Sequence, residues 1–204
     1  MFKYAIGAIV GGYLIGTAHI HDYFQTPEIT QGKLPPCTFL YIQHPGDLDN
    51  LNHTFSIIKS DFHSYRAQFT EARPVSVYYD DSELLANRSH VRSVAGIFVE
   101  SSKKELIEAF LKTHPEYKAK ELPELATART VIPYRGVFSW YWMHRIIHPK
   151  VREYIRLNYL GNKDASELPI INVATSGKVE VNIPYGAGVD SLMVSTANRP
   201  VYKD

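Results

Sequence analysis

The sequence predicts an α+β domain in which one strand–helix–strand–strand unit occurs twice, preceded by a single N-terminal transmembrane helix. Short β-rich runs alternate with segments whose apolar residues recur every three or four positions, and this order repeats along the chain. Near the N-terminus, an uncharged segment is long enough to be a membrane helix. With 204 residues, of which 45% are hydrophobic and 21% charged, the chain can bury the core of one domain.

Charge and cysteine content exclude several classes of protein. The net charge of +1 provides no concentrated basic face, so we expect no direct nucleic-acid partner. The single cysteine, Cys37, excludes an internal disulfide and a cysteine-based zinc cluster. The unusual feature is the count of 14 tyrosines, which must be buried, line a pocket or lie at a membrane interface.

The uncharged segment covers residues 4–21, between Lys3 and Asp22. As a helix it would span roughly 27 Å, about the thickness of a thin bilayer core. Lys3 together with the small residues Gly16 and Ala18 also fits a secretory signal peptide. We therefore predict a membrane anchor over residues 1–21 that contacts the lipid bilayer through residues 4–21, and a cleaved signal peptide is the alternative.

The first strand–helix–strand–strand unit follows a predicted linker. Residues 22–36 place proline and glycine among polar residues without a sustained period, which predicts the linker. The folded domain then begins with a strand at 37–43, and a helix starts at Asp47 with apolar residues spaced three and four apart. Strands at 75–79 and 91–99 complete the unit.

A helix capped by Ser102 and Glu105 and a short strand at 118–122 are predicted to connect the two units. In the second unit, Pro149 interrupts the long helix and either kinks it or starts a new turn. The elements of this second unit are strand 126–132, helix 137–159, strand 168–175 and strand 178–183.

The repeated domain is predicted to span residues 37–185 and to be followed by a short C-terminal extension, 186–204. In such an α+β domain we expect the helices to cover one face of the sheet and to leave the other face free to line a cleft.

Most catalytic and metal-binding signatures are absent from the sequence. It contains no glycine-rich phosphate loop, no nucleophile elbow, no paired-histidine metalloprotease helix and no calcium loop. His144 and His148 share one helical face, as two metal ligands would, but no third ligand lies beside them. The pattern therefore favours histidines on the surface or at a helix cap over a metal site. Asp80 and Asp81 are adjacent and favour a turn over a pair of catalytic acids. We predict no cofactor and no metal.

Aromatic residues cluster where the two units meet. They occur at strand ends and at the start of the long helix in both units, which is where a cleft between repeats would lie. The alternative is that these side chains only pack the core at the repeat interface. The residues concerned are Tyr78, Tyr79, Tyr134, Phe138, Trp140, Tyr141 and Trp142.

The run VSVYYDDSELLANRSHVRSVAGIFVE, followed by IPYRGVFSWYW and HRIIHPKVREYI, resembles the bacterial gyrase-inhibitor (GyrI-like) domain. It is more closely similar to the metazoan testis-expressed protein 264 family. The similarity covers roughly residues 37–185, and its most distinctive pieces are Val77-Tyr78-Tyr79-Asp80, Val94-Ala95-Gly96, Pro133-Tyr134 and His148-Pro149.

This resemblance implies a single-pass protein of the endoplasmic reticulum membrane with a cytosolic GyrI-like domain that binds protein partners. Members of the resembled family act as selective-autophagy (reticulophagy) receptors and as adaptors for an AAA ATPase, both through a long disordered C-terminal tail. This sequence ends at Asp204, shortly after Tyr185. The expected function is therefore a membrane-anchored, non-catalytic interaction module, with the receptor role in doubt.

GyrI-like domains otherwise bind small aromatic or cationic molecules between their repeats, and some relatives are hydrolases. The resemblance places an acidic residue in the penultimate strand, where this chain has Asn172, whose amide does not titrate, so hydrolysis is not expected. Glu180 remains available to a cationic ligand. A small-molecule binding domain with residual hydrolase activity is therefore one alternative. The candidate ligand-binding residues are Tyr79, Tyr134, Trp140, Trp142, Asn172 and Glu180.

A second alternative is a secreted, glycosylated binding protein. Asn52 and Asn87 each lie in an Asn-X-Ser/Thr acceptor sequence, and both would be glycosylated if the domain faced the lumen.

Overall fold

A computed structural model describes residues 27–44, 51–80, 91–134, 136–160, 165 and 168–193. The predicted anchor, residues 1–21, lies outside these ranges, as do Asn87 and most of the predicted extension. Among the described residues, no helix has the length and apolarity needed to cross a bilayer. The anchor and the signal peptide both remain predictions.

Eight strands and four α-helices form the described structure. A 3₁₀ turn, His63–Tyr65, follows the first helix, and π-helical turns at Met143–Ile147 and Arg156–Leu160 extend the third and fourth helices. The strands are β1 Thr30–Leu34, β2 Cys37–His44, β3 Arg73–Tyr78, β4 Ser93–Val99, β5 Lys118–Leu122, β6 Leu125–Pro133, β7 Ile170–Thr175 and β8 Lys178–Pro184. The helices are α1 Leu51–Asp61, α2 Lys104–Thr113, α3 Val137–Trp142 and α4 His148–Ile155.

All eight strands belong to one antiparallel sheet with the order β1-β6-β8-β7-β3-β4-β2-β5. The order is unchanged when β1–β4 are exchanged with β5–β8 and the list is reversed. A pseudo-two-fold axis therefore passes between β3 and β7, where Val75 pairs with Val173 and Ser76 with Asn172. This confirms the α+β class and the predicted repeat.

The repeat is longer than predicted, because each unit begins with an additional strand. β1 lies inside residues 22–36, so the prediction of a linker there is wrong for this part. Its residues pair with β6, from Thr30 opposite Arg129 to Leu34 opposite Leu125, and Leu34 is buried. Backbone pairing holds β1 in place, and only one of its five side chains is buried, so no hydrophobic alternation marks it in the sequence.

The helices differ from the predictions at their ends. The capping box at Ser102 and Glu105 is wrong: the residue before α2 is Lys103, and no side chain caps this helix. Pro149 is the second residue of α4, which begins at His148 directly after the π-helical turn 143–147. There its missing N–H and its ring are accommodated, so the helical path continues instead of ending.

Two hydrophobic cores lie on opposite faces of the sheet. The larger one is between the sheet and the helices and includes Leu40, Phe110 and Val151. On the other face, the curled sheet encloses a second core that includes Phe39, Val77 and Phe98 from alternate positions of the same strands. This face is filled by its own side chains. The expectation that it would be free to line a cleft is therefore wrong.

Candidate functional site

A cavity of about 740 Å³ opens on the helix-covered face, above the two central strands. Its floor is formed by β3 and β7, which contribute Ser76 and Tyr78 from one unit and Asn172 and Ala174 from the other. Because the pseudo-two-fold axis passes between these strands, the cavity lies at the junction of the repeats. A volume of this size is typical of small-molecule sites.

The walls of the cavity come from α1 on one side and from α3 with the β7–β8 turn on the other. Along α1 and the turn after it, one face presents Phe55 and Phe62 to the cavity. Across from them, Trp140 and Met143 line the wall, and Tyr134 lies at the end of β6. Aromatic and apolar side chains from both units therefore surround the central strands.

A buried polar chain lies beneath the floor. The Nε2 atom of His148 is 3.2 Å from Oδ1 of Asn172, and the Ser76 hydroxyl donates to the Tyr78 hydroxyl at 3.3 Å. Since an amide oxygen only accepts, Nε2 of His148 carries the proton and donates it. Burial lowers the pKa of His148 well below 6.5, and the neighbouring His144 and Arg152 lower it further. His148 is therefore neutral at neutral pH.

Tyr78 is also held in its uncharged form. Burial raises the pKa of its hydroxyl to about 12, against the smaller lowering effects of the nearby Ser76 hydroxyl and Asn172 amide. The amide nitrogen Nδ2 of Asn172 is buried and reaches no hydrogen-bond partner of normal geometry within the described residues. The floor thus presents neutral hydroxyl and amide groups, including a donor available to a molecule in the cavity.

His144 and His148 are buried, which corrects the expectation of surface or capping histidines. His144 Nδ1 lies 2.9 Å from the carbonyl oxygen of Trp140, and the imidazole is 4.4 Å from the Trp140 ring. The His148 ring is 4.7 Å from that of His144 and 5.8 Å from that of Tyr78. These contacts fix the indole of Trp140 in the cavity wall.

The charged groups at the cavity all have the same sign. Lys59 and Arg66 on the α1 side and Lys178 at the start of β8 line it, and all three are exposed, as is the imidazole of His63. The described lining residues include no Asp or Glu. None of the four has a carboxylate partner in the described part of the chain.

The structure brings together only some of the predicted site residues. Tyr134, Trp140 and Asn172 line the cavity, whereas Trp142 is half-buried against the helix-side core and is not among the lining residues. Tyr79 lies in the second core, where its hydroxyl donates to the carbonyl oxygen of Leu192.

Glu180 also lies away from the cavity, on the opposite face of the sheet. Its carboxylate is 3.0 Å from the Arg129 guanidinium and accepts a hydrogen bond from Asn182. The placement of Tyr79 and Glu180 follows from strand alternation, because each is one residue from a cavity-facing neighbour. The structure therefore corrects the prediction that Tyr79 and Glu180 belong to the same site as Asn172.

Sequence reasoning missed the side chains that α1 contributes to the cavity. Asn52, Lys59 and Arg66 are spaced seven residues apart and flank the apolar stripe that contains Phe55 and Phe62. Asn52 and Lys59 lie on α1 and Arg66 follows the 3₁₀ turn, and their spacing was the signal available in the sequence. Asn52, the described glycosylation candidate, is exposed on this helix.

Comparison with known proteins reveals similarity in fold. No family model and no curated protein matches the chain. The cryo-EM structure of the EcmrR–DNA complex contains a similar chain, with a TM-score of 0.51 and 12% identity, covering 89% of this chain and 69% of EcmrR. The crystal structure of the EcmrR C-terminal domain has a TM-score of 0.51 and 11% identity, covering 78% of this chain and 98% of that domain.

At 11–12% identity, the similarity to EcmrR is evidence about the fold alone. It agrees with the α+β class predicted from the sequence. The DNA in the first complex is bound by EcmrR. What the cavity of this chain can bind follows from the residues that line it.

Proposed function

We propose that this domain is a small-molecule binding module whose ligand has a flat, apolar body and occupies the cavity between the two repeats. The observation that carries the proposal is the cavity of about 740 Å³ at the pseudo-two-fold axis, with aromatic side chains from both units in its walls. Such a cavity is large enough to enclose one ligand of several fused rings.

The floor supports binding because it is already ordered by the sheet and by buried hydrogen bonds. Tyr78 and Asn172 lie on the paired central strands, and Asn172 is fixed by His148. A ligand therefore does not have to order the floor when it binds, which reduces the entropic cost of binding. The available amide nitrogen of Asn172 adds one polar contact that can orient the ligand.

The same floor favours binding over catalysis. General acid–base chemistry requires a group whose pKa lies near the working pH. Among the groups beneath the cavity, Tyr78 has its pKa raised to about 12, and His148 has its pKa lowered well below 6.5. Asn172 does not titrate, and no carboxylate occurs among the described lining residues. We therefore propose a non-catalytic role.

Tryptophan fluorescence provides the test. The chain has two tryptophans, so Trp142→Phe leaves Trp140, in the cavity wall, as the only one. We expect 1-pyrenebutanol, a neutral planar probe, to quench Trp140 fluorescence with a saturating dependence on concentration. In this background, Ala174→Phe places a ring in the cavity and should weaken binding by about fivefold or more.

A matched control uses the same substitution elsewhere in the sheet. Ala119 is an exposed residue of β5 outside the cavity lining, so Ala119→Phe should leave the affinity unchanged. Circular dichroism of both variants verifies that the fold is retained. Absence of saturable quenching, or equal weakening by both variants, would refute binding in this cavity.

The remaining expectations of the resemblance stay predictions. They are the endoplasmic reticulum location, the membrane anchor at 1–21, the protein partners and the relation to reticulophagy receptors. A binding module of this kind is compatible with an anchored protein, and membrane fractionation with a glycosidase treatment tests the anchor. Carbonate-resistant, unglycosylated protein is the outcome expected for a cytosolic domain.

A further inference from the structure

The basic side chains at the cavity determine which ligand charge it accepts. Lys59 and Arg66 come from the α1 side, and Lys178 comes from the β7–β8 side. β3 begins near the end at which β7 finishes, because Val75 pairs with Val173 in antiparallel register. The segment that follows α1 and leads into β3 therefore approaches the same end of the sheet as the turn that carries Lys178.

The positive charge of these residues is not neutralised within the site. Lys59, Arg66 and Lys178 make no ion pair within the described chain, and every charged side chain lining the cavity there is basic. The nearest basic–acidic pair involving the β8 strand, Arg129 with Glu180, lies on the opposite face of the sheet. The described charged side chains would all repel a bound cation, whereas they would all attract an anion.

The interior of the cavity has the opposite character. Phe55, Ile58, Phe62 and Trp140 provide apolar surface, and the neutral Tyr78 hydroxyl lies at the floor. A ligand that satisfies both regions has an apolar body and one acidic end. Arginine suits such an end, because its guanidinium can donate two hydrogen bonds to one carboxylate.

We propose that the cavity selects a small amphiphilic organic acid, with its apolar body against the aromatic walls and its carboxylate at Lys59, Arg66 and Lys178. This inference rests on the proposed binding function and specifies its ligand class. It is the reverse of the cationic ligand that the family resemblance implies. The buried amide nitrogen of Asn172 is a further donor, which would contact an oxygen on the ligand body.

Three probes with one apolar body and different charges test this inference on the full chain carrying Trp142→Phe. They are 1-pyrenebutyrate, neutral 1-pyrenebutanol and 4-(1-pyrenyl)butyl-trimethylammonium, and their dissociation constants follow from Trp140 quenching. Single exposed ion pairs are worth a factor of about two to five. We therefore expect the carboxylate to bind about tenfold more tightly than the alcohol and the ammonium to bind more weakly than either.

The variant Lys59→Gln/Arg66→Gln/Lys178→Gln should reduce the preference for the carboxylate over the alcohol, measured as the ratio of the two dissociation constants on the same variant, to about twofold or less. The matched control is Lys104→Gln/Lys112→Gln/Lys150→Gln, which removes three exposed lysines outside the cavity lining and should retain the preference. Raising the salt concentration to about 1 M should weaken carboxylate binding and leave alcohol binding in place.

The outcomes separate the two proposals. If none of the three probes binds, the binding function itself is wrong. If all three bind equally, if the ammonium binds best, or if the control removes the preference as effectively as the cavity variant, the acidic ligand class is wrong and the binding function stands.

Discussion

Acidification should destabilise this fold through His148, the buried imidazole beneath the cavity. The folded chain keeps this side chain neutral, since burial together with His144 and Arg152 lowers its pKa well below 6.5. The unfolded chain binds a proton with a pKa near 6.5. Above that pH both states are neutral at this position, and below it the unfolded state binds more protons, so stability falls as the pH falls.

The size of the effect follows from the number of protons involved. One proton bound only by the unfolded state removes about 1.4 kcal/mol of stability for each pH unit below about 6. If His148 stays neutral in the fold at about pH 5, the accumulated loss is about 2 kcal/mol relative to neutral pH. The 3.2 Å contact with Asn172 opposes this loss by favouring the protonated ring, but it is the smallest of the four influences on the pKa.

Urea denaturation at a series of pH values measures this loss. The matched variant is His148→Gln, which has a similar polar side chain that does not titrate. At neutral pH, the free energy of unfolding of this variant should be lower than that of the native chain. Below about pH 6 it should fall less steeply, so that at about pH 5 the difference between the two chains is about 2 kcal/mol smaller than at neutral pH. Parallel curves, or an NMR titration of His148 with a midpoint at or above 6.5, would refute the reasoning.

Two further predictions concern the packing and charge pairing of the sheet. In Gly96→Ala, the new Cβ would lie 2.8 Å from the Cα of Tyr41 on the paired strand. We therefore expect the free energy of unfolding, measured by urea denaturation, to fall by about 3 kcal/mol. The control Gly32→Ala should lose less than about 1 kcal/mol, because its new Cβ first meets the flexible side chain of Arg129. Equal losses in the two variants would contradict this. The variant Asp80→Ala should lower the free energy of unfolding by about 3 kcal/mol in the same assay. The buried Asp80 carboxylate accepts one hydrogen bond from the backbone N–H of Arg92 at 2.8 Å and another from the Arg92 guanidinium at 2.6 Å. A loss below about 1 kcal/mol would show that water replaces these contacts.

The repeat could be predicted because its signals are local. β2, β6, β7 and β8 match their predictions to within two residues, since each contains β-rich residues next to a turn signal. β5 has the predicted bounds although its sequence, KAKEL, contains no β-branched or aromatic residue. β1 could not be predicted in this way. Only Leu34 of that strand is buried, and its partner β6 is about 95 residues away along the chain, so nothing in its own sequence reveals the pairing.

The candidate site was predictable only in part for a related reason. Tyr134 and Trp140 could be placed between the repeats because they occur at element ends that meet there. Tyr79 and Glu180 were assigned to the wrong face, because sequence position alone does not specify which face of each strand is turned to the helices. The contribution of Lys59 depended on how α1 is rotated, which is decided by packing against the sheet.

The exchange of β1 and β5 between the units makes the chain resemble a dimer whose two subunits have been fused. β1 precedes β2 in the chain but pairs with β6, and β5 precedes β6 but pairs with β2. Each unit thus completes the sheet of the other, so neither should fold when it is produced alone.

In a true dimer, two identical walls of the cavity would face each other across the two-fold axis. Fusion removes that constraint, so Ser76 pairs with Asn172 at the axis. Lys59 and Arg66 lie on one wall of the cavity and Lys178 lies on the other. The two walls of the cavity can therefore carry different side chains and contact a ligand that has no symmetry of its own.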